Sequence, residues 1–375
     1  MGSFERSTKV RRDLAEHPAW SRALGHDNLA SRMILPVVVS ASVEDRERIE
    51  GTGHLERLSI TEVVRDARAA ASAGFAGLLI YGASDRKDAR AFIASERDHI
   101  VVRAIRAVKE AVPELGIATD VCVCAYTEHG QCVLFRDGGA DVAGTLERLG
   151  EIAIAHADAG ADLVIPSGML DGSVAAVRAA LAERHDGVAV AAMAKLESAL
   201  YSMHRTLVGA TRIHERAVPL LAADDQSASR NRALRDVVEG ADAVVVKPGT
   251  PALDIVAMLR SSVGRPVISF HTVDEHAAFA LAAEELDDAP AAERETLAAS
   301  RRAGADLIIS YGAWNAAGLG LLLASSHAIR ARRAPEWRSR PGEGHAGSAL
   351  GLDRDLCRCR VAVRVEDRRW YQPFP

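Results

Sequence analysis

The sequence predicts an α/β fold, a (β/α)8 TIM barrel with an N-terminal arm and an extra C-terminal tail. Three observations carry that prediction. Short β-branched runs alternate with longer Ala-, Leu- and Arg-rich stretches whose apolar residues fall at helical spacing. Eight such units follow one another, as a barrel of about 250–300 residues requires. One phrase recurs before several strands: Ala159-Gly160-Ala161-Asp162, Glu239-Gly240-Ala241-Asp242 and Ala303-Gly304-Ala305-Asp306. A glycine there can end a helix in a left-handed conformation and turn the chain into the next strand.

Taken in order, residues 1–30 form a polar arm with an Arg11-Arg12 pair, and residues 31–330 form the barrel. Its strands are predicted at 33–40, 77–81, 116–124, 161–166, 188–195, 241–247, 266–270 and 305–311. Amphipathic helices are clearest at 61–73 and 101–112. An open doubly wound sheet is the alternative, but nothing resembling G-x-G-x-x-G follows the first strand. Residues 331–375 are rich in arginine, proline and glycine and read as a partly disordered tail, with a strand-like run only at 361–365. The tail's Cys357 and Cys359 read as an exposed pair sooner than as a metal site.

Composition narrows the function. The 375 residues are 48% hydrophobic and 26% charged, which suits a globular chain and not a disordered one. A net charge of -5 gives no reason to expect nucleic acid or an anionic membrane as a partner. No apolar run reaches the ~18 residues of a membrane span, and residues 1–12 have no signal-like core. A soluble cytoplasmic protein is therefore expected. Aromatics are only 4%, so the core rests on Ala, Val, Leu and Ile, as helices packed on a parallel sheet favour. Of the 46 basic residues, only Lys9, Lys87, Lys109, Lys195 and Lys247 are lysines.

Active-site groups of such barrels come from the C-terminal ends of the strands. Lys195 ends the fifth strand and Lys247 the sixth. Neighbouring strands lie about 4.8 Å apart, so the two ammonium groups should share a pocket. Burial and mutual repulsion lower a lysine pKa and yield the neutral amine that attacks a ketone to form a Schiff base. Lysines snorkelling at strand ends are the plainer explanation. On the third strand Asp120, Cys122 and Cys124 share one face by period two, and a return loop would bring Cys132 beside them. Three thiolates suit zinc with an open fourth position, and His129 is a possible ligand or supporting donor. Structural disulfides are unlikely in a cytosolic chain; buried free cysteines acting as small hydrophobes remain the alternative. After the fourth strand, Ser167 and Asp171 could handle a substrate amine or a water, or merely form a turn.

Together these pieces resemble the porphobilinogen synthase (5-aminolevulinate dehydratase) family. The family's Asp-Val-Cys-x-Cys, then Tyr-Thr-x-His-Gly and a third cysteine, are matched by Asp120-Val121-Cys122-Val123-Cys124, Tyr126-Thr127-Glu128-His129-Gly130 and Cys132. Its Glu-Gly-Ala-Asp before Val-Lys-Pro is matched from Glu239 to Pro248, its earlier lysine at Lys195, and its Arg-Ala-Gly-Ala-Asp-Leu-Ile-Ile from Arg302 to Ile309. The similarity runs in order from about Leu35 to Tyr311. It implies a lyase that condenses two 5-aminolevulinate molecules to porphobilinogen in tetrapyrrole (heme) synthesis. It also implies an arm that wraps a neighbouring subunit of a homo-oligomer, octameric or dimer-based. Lys247 would form the Schiff base with the substrate that supplies the propionate side, and Lys195 would serve the second substrate. Asp120 would assist proton transfer. Cys122, Cys124 and Cys132 would hold Zn2+ as a Lewis acid. Ser167, Arg205, Arg216 and Tyr311 would bind substrate.

The departures cluster at substrate recognition. Ser-Asp-Met-Met-Asp-Gly-Arg reads Ser167-Gly168-Met169-Leu170-Asp171-Gly172-Ser173, so the aspartate that meets a substrate amine has become Gly168. Tyr-Gly-Pro-Phe-Arg reads Tyr201-Ser202-Met203-His204-Arg205, and the Tyr-Gln of the next lid segment has no counterpart in 216–226. Val-Ser-Gly-Glu reads Thr272-Val273-Asp274-Glu275, so a carboxylate-binding serine is gone. The loop Gly-His-Cys-Gly reads Gly130-Gln131-Cys132-Val133. Three functions are therefore expected in order: a working synthase, a paralogue that condenses other aminoketones, and a catalytically dead regulatory subunit. Two retained lysines and three retained cysteines argue against the last.

Overall fold

The computed structural model describes Leu14 and residues 17–26, 28–49, 55–211, 213, 215–282, 286 and 288–318; the tail with Cys357 and Cys359 lies outside them. All belong to the unit Met1–Ala328. The chain enters through α1 (Pro18–Gly25), which Pro18 opens and whose backbone the His17 ring caps at Ala19 N (3.3 Å). Then come β1 (Met33–Ser40), the small β2 (Arg46–Arg48) and β3 (Glu56–Leu58), α2 (Ile60–Ser72), β4 (Gly77–Ala83), α3 (Ile100–Ala111) and β5 (Gly116–Val121). A hairpin of β6 (Leu134–Arg136) and β7 (Gly139–Asp141) leads into α4 (Val142–Asp158), β8 (Leu163–Pro166), α5 (Ser173–Leu181) and β9 (Ala189–Lys195). The last part holds α6 (Ser202–Leu207), α7 (Gln226–Glu239), β10 (Ala243–Lys247), α8 (Leu253–Ser262), β11 (Val267–Phe270), α9 (Val273–Leu281), α10 (Ala289–Ala303), β12 (Leu307–Ile309) and α11 (Ala313–Ala316).

Eight strands, β1, β4, β5, β8, β9, β10, β11 and β12, pair in parallel in that order, and β12 returns to β1 through Met33↔Ile308 and Ile34↔Ile309. The sheet is a closed (β/α)8 barrel, as the sequence predicts. Its strands are near-continuous apolar runs because both faces are covered, the inner by packed side chains and the outer by helices. The lower end is filled by Trp20, fully buried, beneath Gly77 and Gly116. A Cβ on either glycine would come within 2.8 or 2.7 Å of its ring.

The recurring Gly-Ala-Asp phrase has the same structure each time. Gly160, Gly240 and Gly304 take φ of 105°, 114° and 109°, and the next residue donates back into the helix, as in Ala241 N to Asp236 O (3.0 Å). That alanine still belongs to the helix end, so β8, β10 and β12 begin two residues later than the sequence suggests. The aspartate then ties the new strand to its neighbour. Asp162, Asp242 and Asp306 accept from Ile117 N (2.8 Å), Val190 N (2.9 Å) and Val267 N (2.9 Å).

Candidate active site

Strand ends build the site. Lys195 and Lys247 are register partners on β9 and β10. Lys247 is buried, and desolvation together with the charge of Lys195 pulls its pKa down to about 7. Its Nζ lies 3.8 Å from the centre of the Phe270 ring, and Lys195 Nζ lies 4.7 Å from that of Tyr201. The Tyr201 hydroxyl donates to Leu196 O (2.8 Å) and Lys247 O (3.0 Å), which locks its ring under both amines. Just beyond Lys247, Glu275 gathers the N–H groups of Gly249 (3.2 Å), Thr250 (2.7 Å) and Thr272 (2.6 Å). It thereby joins the turn after β10 to the capping box that opens α9.

Asp120 sits near the end of β5, its pKa raised to about 6 by burial against the opposing pull of a Ser167 hydrogen bond and of Lys247. The third barrel strand stops at Val121, three residues short of the sequence reading. Tyr126 N and Thr127 Oγ1 both bond Val123 O (3.1 and 3.3 Å), so the chain turns before Cys124. The turn, rather than strand alternation, brings Cys122, Cys124 and Cys132 together with their Sγ atoms within 4.8 Å of one another. A tetrahedral Zn–S distance of about 2.3 Å places sulfurs roughly 3.8 Å apart, so the donor set and its spacing fit a metal. Thiol hydrogen bonds from Cys122 and Cys124 hold Cys132 well below the usual thiol range. His129 is outside this group: its Nδ1 accepts from Gln131 N (3.0 Å).

The remaining expected residues divide. Tyr311 stands past β12 with its hydroxyl buried and without a hydrogen-bond partner among the described residues, its pKa raised by desolvation, Asp120 and Asp274. Arg205 on α6 donates to Gly130 O (2.8 Å) and Thr211 O, clasping the cysteine loop from the lid side. Arg216 lies close enough for its charge to act on Tyr201. Asp171 is not in the site: it is exposed and held by Arg232 (3.0 Å) and Arg235 (2.7 Å).

The match to known proteins is extensive. The family model for delta-aminolevulinic acid dehydratase matches residues 8–319. The chain belongs to the delta-aminolevulinic acid dehydratase family. Delta-aminolevulinic acid dehydratase of Escherichia coli is 32% identical over 74% of this chain and 87% of its own length. That of Synechococcus elongatus is 36% identical over 70% and 82%, and that of Bos taurus 34% over 75% and 88%. A crystal structure of the Toxoplasma gondii enzyme, delta-aminolevulinic acid dehydratase (porphobilinogen synthase) in complex with porphobilinogen, superposes with a TM-score of 0.74 at 29% identity. It covers 85% of this chain and 91% of that one. The protein is thus an enzyme of the lyase class. Among the described residues no helix is long and apolar enough to cross a membrane.

Gly168 lies against the cysteine loop. At Gly168 a Cβ would lie 3.2 Å from Cβ and 3.3 Å from O of Cys132, so the cysteine loop occupies the room a larger residue would need. Sequence reasoning gave no role to Tyr81, His204, Phe270 or Asp274, all of which face the lysines or Asp120. His204 stacks edge-on to Tyr81 (4.8 Å between centres) and is driven well below the usual imidazole range by burial and by Lys247, Lys195 and Arg205. The signal for each was position: Phe270 ends β11 and Tyr81 lies near the end of β4, while Asp274 and His204 lie in segments that follow strands.

Proposed function

We propose that this protein is a dehydratase that joins two aminoketone molecules through imines on Lys247 and Lys195, beside a zinc ion on Cys122, Cys124 and Cys132. The observation that carries the reading is the register pairing of the two lysines over one aromatic floor, with Lys247 near neutrality at pH 7. The neutral Nζ of Lys247 adds to a ketone carbon, the oxygen is protonated and leaves as water, and a C=N bond remains. Asp120, poised at about 6 and oriented by Ser167, suits the proton transfers. Lys195 would hold the second molecule in the same way. Zinc, when bound, supplies Lewis acidity toward an oxygen of that second molecule. Arg205, Arg216 and Tyr311 would grip substrate from the lid side and from past β12. The reading extends to a homo-oligomer in the cytoplasm.

The reference substrate is 5-aminolevulinate, for which the relatives are named; two molecules would give porphobilinogen and two waters, a step of tetrapyrrole synthesis. A second reading, a paralogue that condenses other aminoketones into a different heterocycle, is favoured by Gly168 and by the carboxylate of Asp274 beside Lys247. One experiment separates them. The purified zinc-loaded protein is incubated with 5-aminolevulinate, and all products are read by mass spectrometry beside a Lys247→Ala control. Porphobilinogen that is lost in the control establishes the first reading; another condensation product establishes the second. No product, with other aminoketones failing as well, overturns both.

A further inference from the structure

Asp274 is the most informative residue that the chemistry above does not use. It occupies the first turn of α9, immediately beyond the end of β11, and is 8% exposed. Its Oδ1 accepts from Ser202 Oγ (2.9 Å) and Met203 N (3.3 Å), so the lid helix α6 fixes the carboxylate in place. Its Oδ2 is buried and has no hydrogen-bond partner among the described residues, and the same holds for the hydroxyl of Tyr311. Asp274 follows β11, between the strands that lead to the other two groups, and its charge acts both on Lys247, at the end of the adjoining β10, and on Tyr311, past β12. A buried carboxylate oxygen without a partner is costly unless something that enters the site supplies a donor.

We infer that Asp274 sets the specificity of the space beside Lys247: it selects a ketone whose far end is a neutral or cationic hydrogen-bond donor, such as a hydroxyl or an ammonium group, and rejects one that ends in a carboxylate. An ionised carboxylate is an acceptor only, so it satisfies a donor and repels a carboxylate brought to the same place. The Tyr311 hydroxyl, able to donate or accept, completes the grip on a hydroxyl without discriminating charge. The inference rests on the reading of Lys247 as the imine-forming amine, and it sides with the second of the two substrate readings, since 5-aminolevulinate ends in a carboxylate.

The test uses that amine as its own reporter. The full-length protein is mixed with 4-oxopentanoate or with 5-hydroxypentan-2-one, reduced with borohydride, and the modified Lys247 peptide is quantified by mass spectrometry. The hydroxyketone should half-saturate trapping at a concentration at least about tenfold lower than the oxo acid, and Asp274→Asn should close most of that gap. Equal trapping of the two ketones by the unaltered protein, or a preference for the oxo acid, overturns the inference and leaves the role of Lys247 standing. The unaltered protein alone decides this, even where the variant folds poorly. Trapping of neither ketone at Lys247, with 5-aminolevulinate failing too, removes the imine reading and this inference with it.

Discussion

Two separable causes lower the pKa of Lys247, and each predicts a measurement. Burial is the larger and the Lys195 charge the second, and together they bring the amine to about 7. Imine formation needs the unprotonated amine, so the rate of borohydride trapping at Lys247 should climb with pH up to about 7 and then level off. Between pH 7 and pH 5 it should fall by about 50-fold, from one half of the amine unprotonated to about one hundredth. In Lys195→Gln the midpoint of that profile should move upward, because one source of repulsion is gone; an unmoved midpoint would mean that the neighbouring charge does not reach Lys247. Gly168 predicts the opposite of a repair. A Gly168→Asp change restores the family's residue type but places its Cβ 3.2 Å from that of Cys132. Expected is a loss of zinc affinity of about 10–100-fold, read by metal titration, with no gain in turnover. Both lysines and all three cysteines were legible in the sequence because rare residue types at a strand end, or clustered just after one, carry their own signal. His204 and Asp274 were not, because a histidine and an aspartate after a strand look ordinary until α6 and the start of α9 come together beside the lysines.

At the level of the element, the sequence marks where helices stop more exactly than where strands start. The Gly-Ala-Asp phrase was readable as a turn, since only a glycine takes φ near 110° readily. The aspartate's cross-strand bond was not readable, because its partner lies about 40 to 50 residues earlier and is known only once the strands pair. That bond is a recurrent brace. Asp242 accepts from Val190 N and pairs with Arg178, both largely buried, so Asp242→Ala strips a buried N–H of its acceptor and leaves the guanidinium with only the carbonyls of Val188 and Gly240. A loss of about 1–3 kcal/mol is expected, seen as a lower Tm in calorimetry. Glu275 braces the other end of the same strand by collecting three N–H groups. In Glu275→Gln one of those three meets an amide NH2 in place of an oxygen. The turn carrying Lys247 should loosen, and trapping at Lys247 should slow by about tenfold while the KM for the ketone changes little. A fall in Tm with unchanged trapping would show that Glu275 only stabilises the fold.

Over the whole barrel, chemistry and stability are assigned to opposite ends, which allows one to be disturbed without the other. The upper end carries the lysines, Asp120 and the cysteines on strand ends and loops; the lower end is shut by α1, with Trp20 fully buried beneath β4 and β5. The eight strands and their order followed from alternation and glycine spacing in the sequence, whereas this plug did not, because a single Trp in a polar arm gives no hint of what it covers. Gly77 and Gly116 are the complementary half of the device: a side chain at either position would collide with the indole, so the two strands are kept bare where it inserts. Trp20→Ala therefore empties a space that neither glycine can fill. Removing a buried Trp costs about 3–5 kcal/mol, so a Tm decrease on the order of 10 °C is expected by calorimetry. Since Trp20 touches the strand beginnings and the lysines sit at strand ends, the variant should still trap a ketone at Lys247 at 25 °C with the rate and pH midpoint of the unaltered protein. A changed midpoint in a variant that remains folded would show that the plug sets the geometry of the strand ends, and that the two ends of the barrel are coupled.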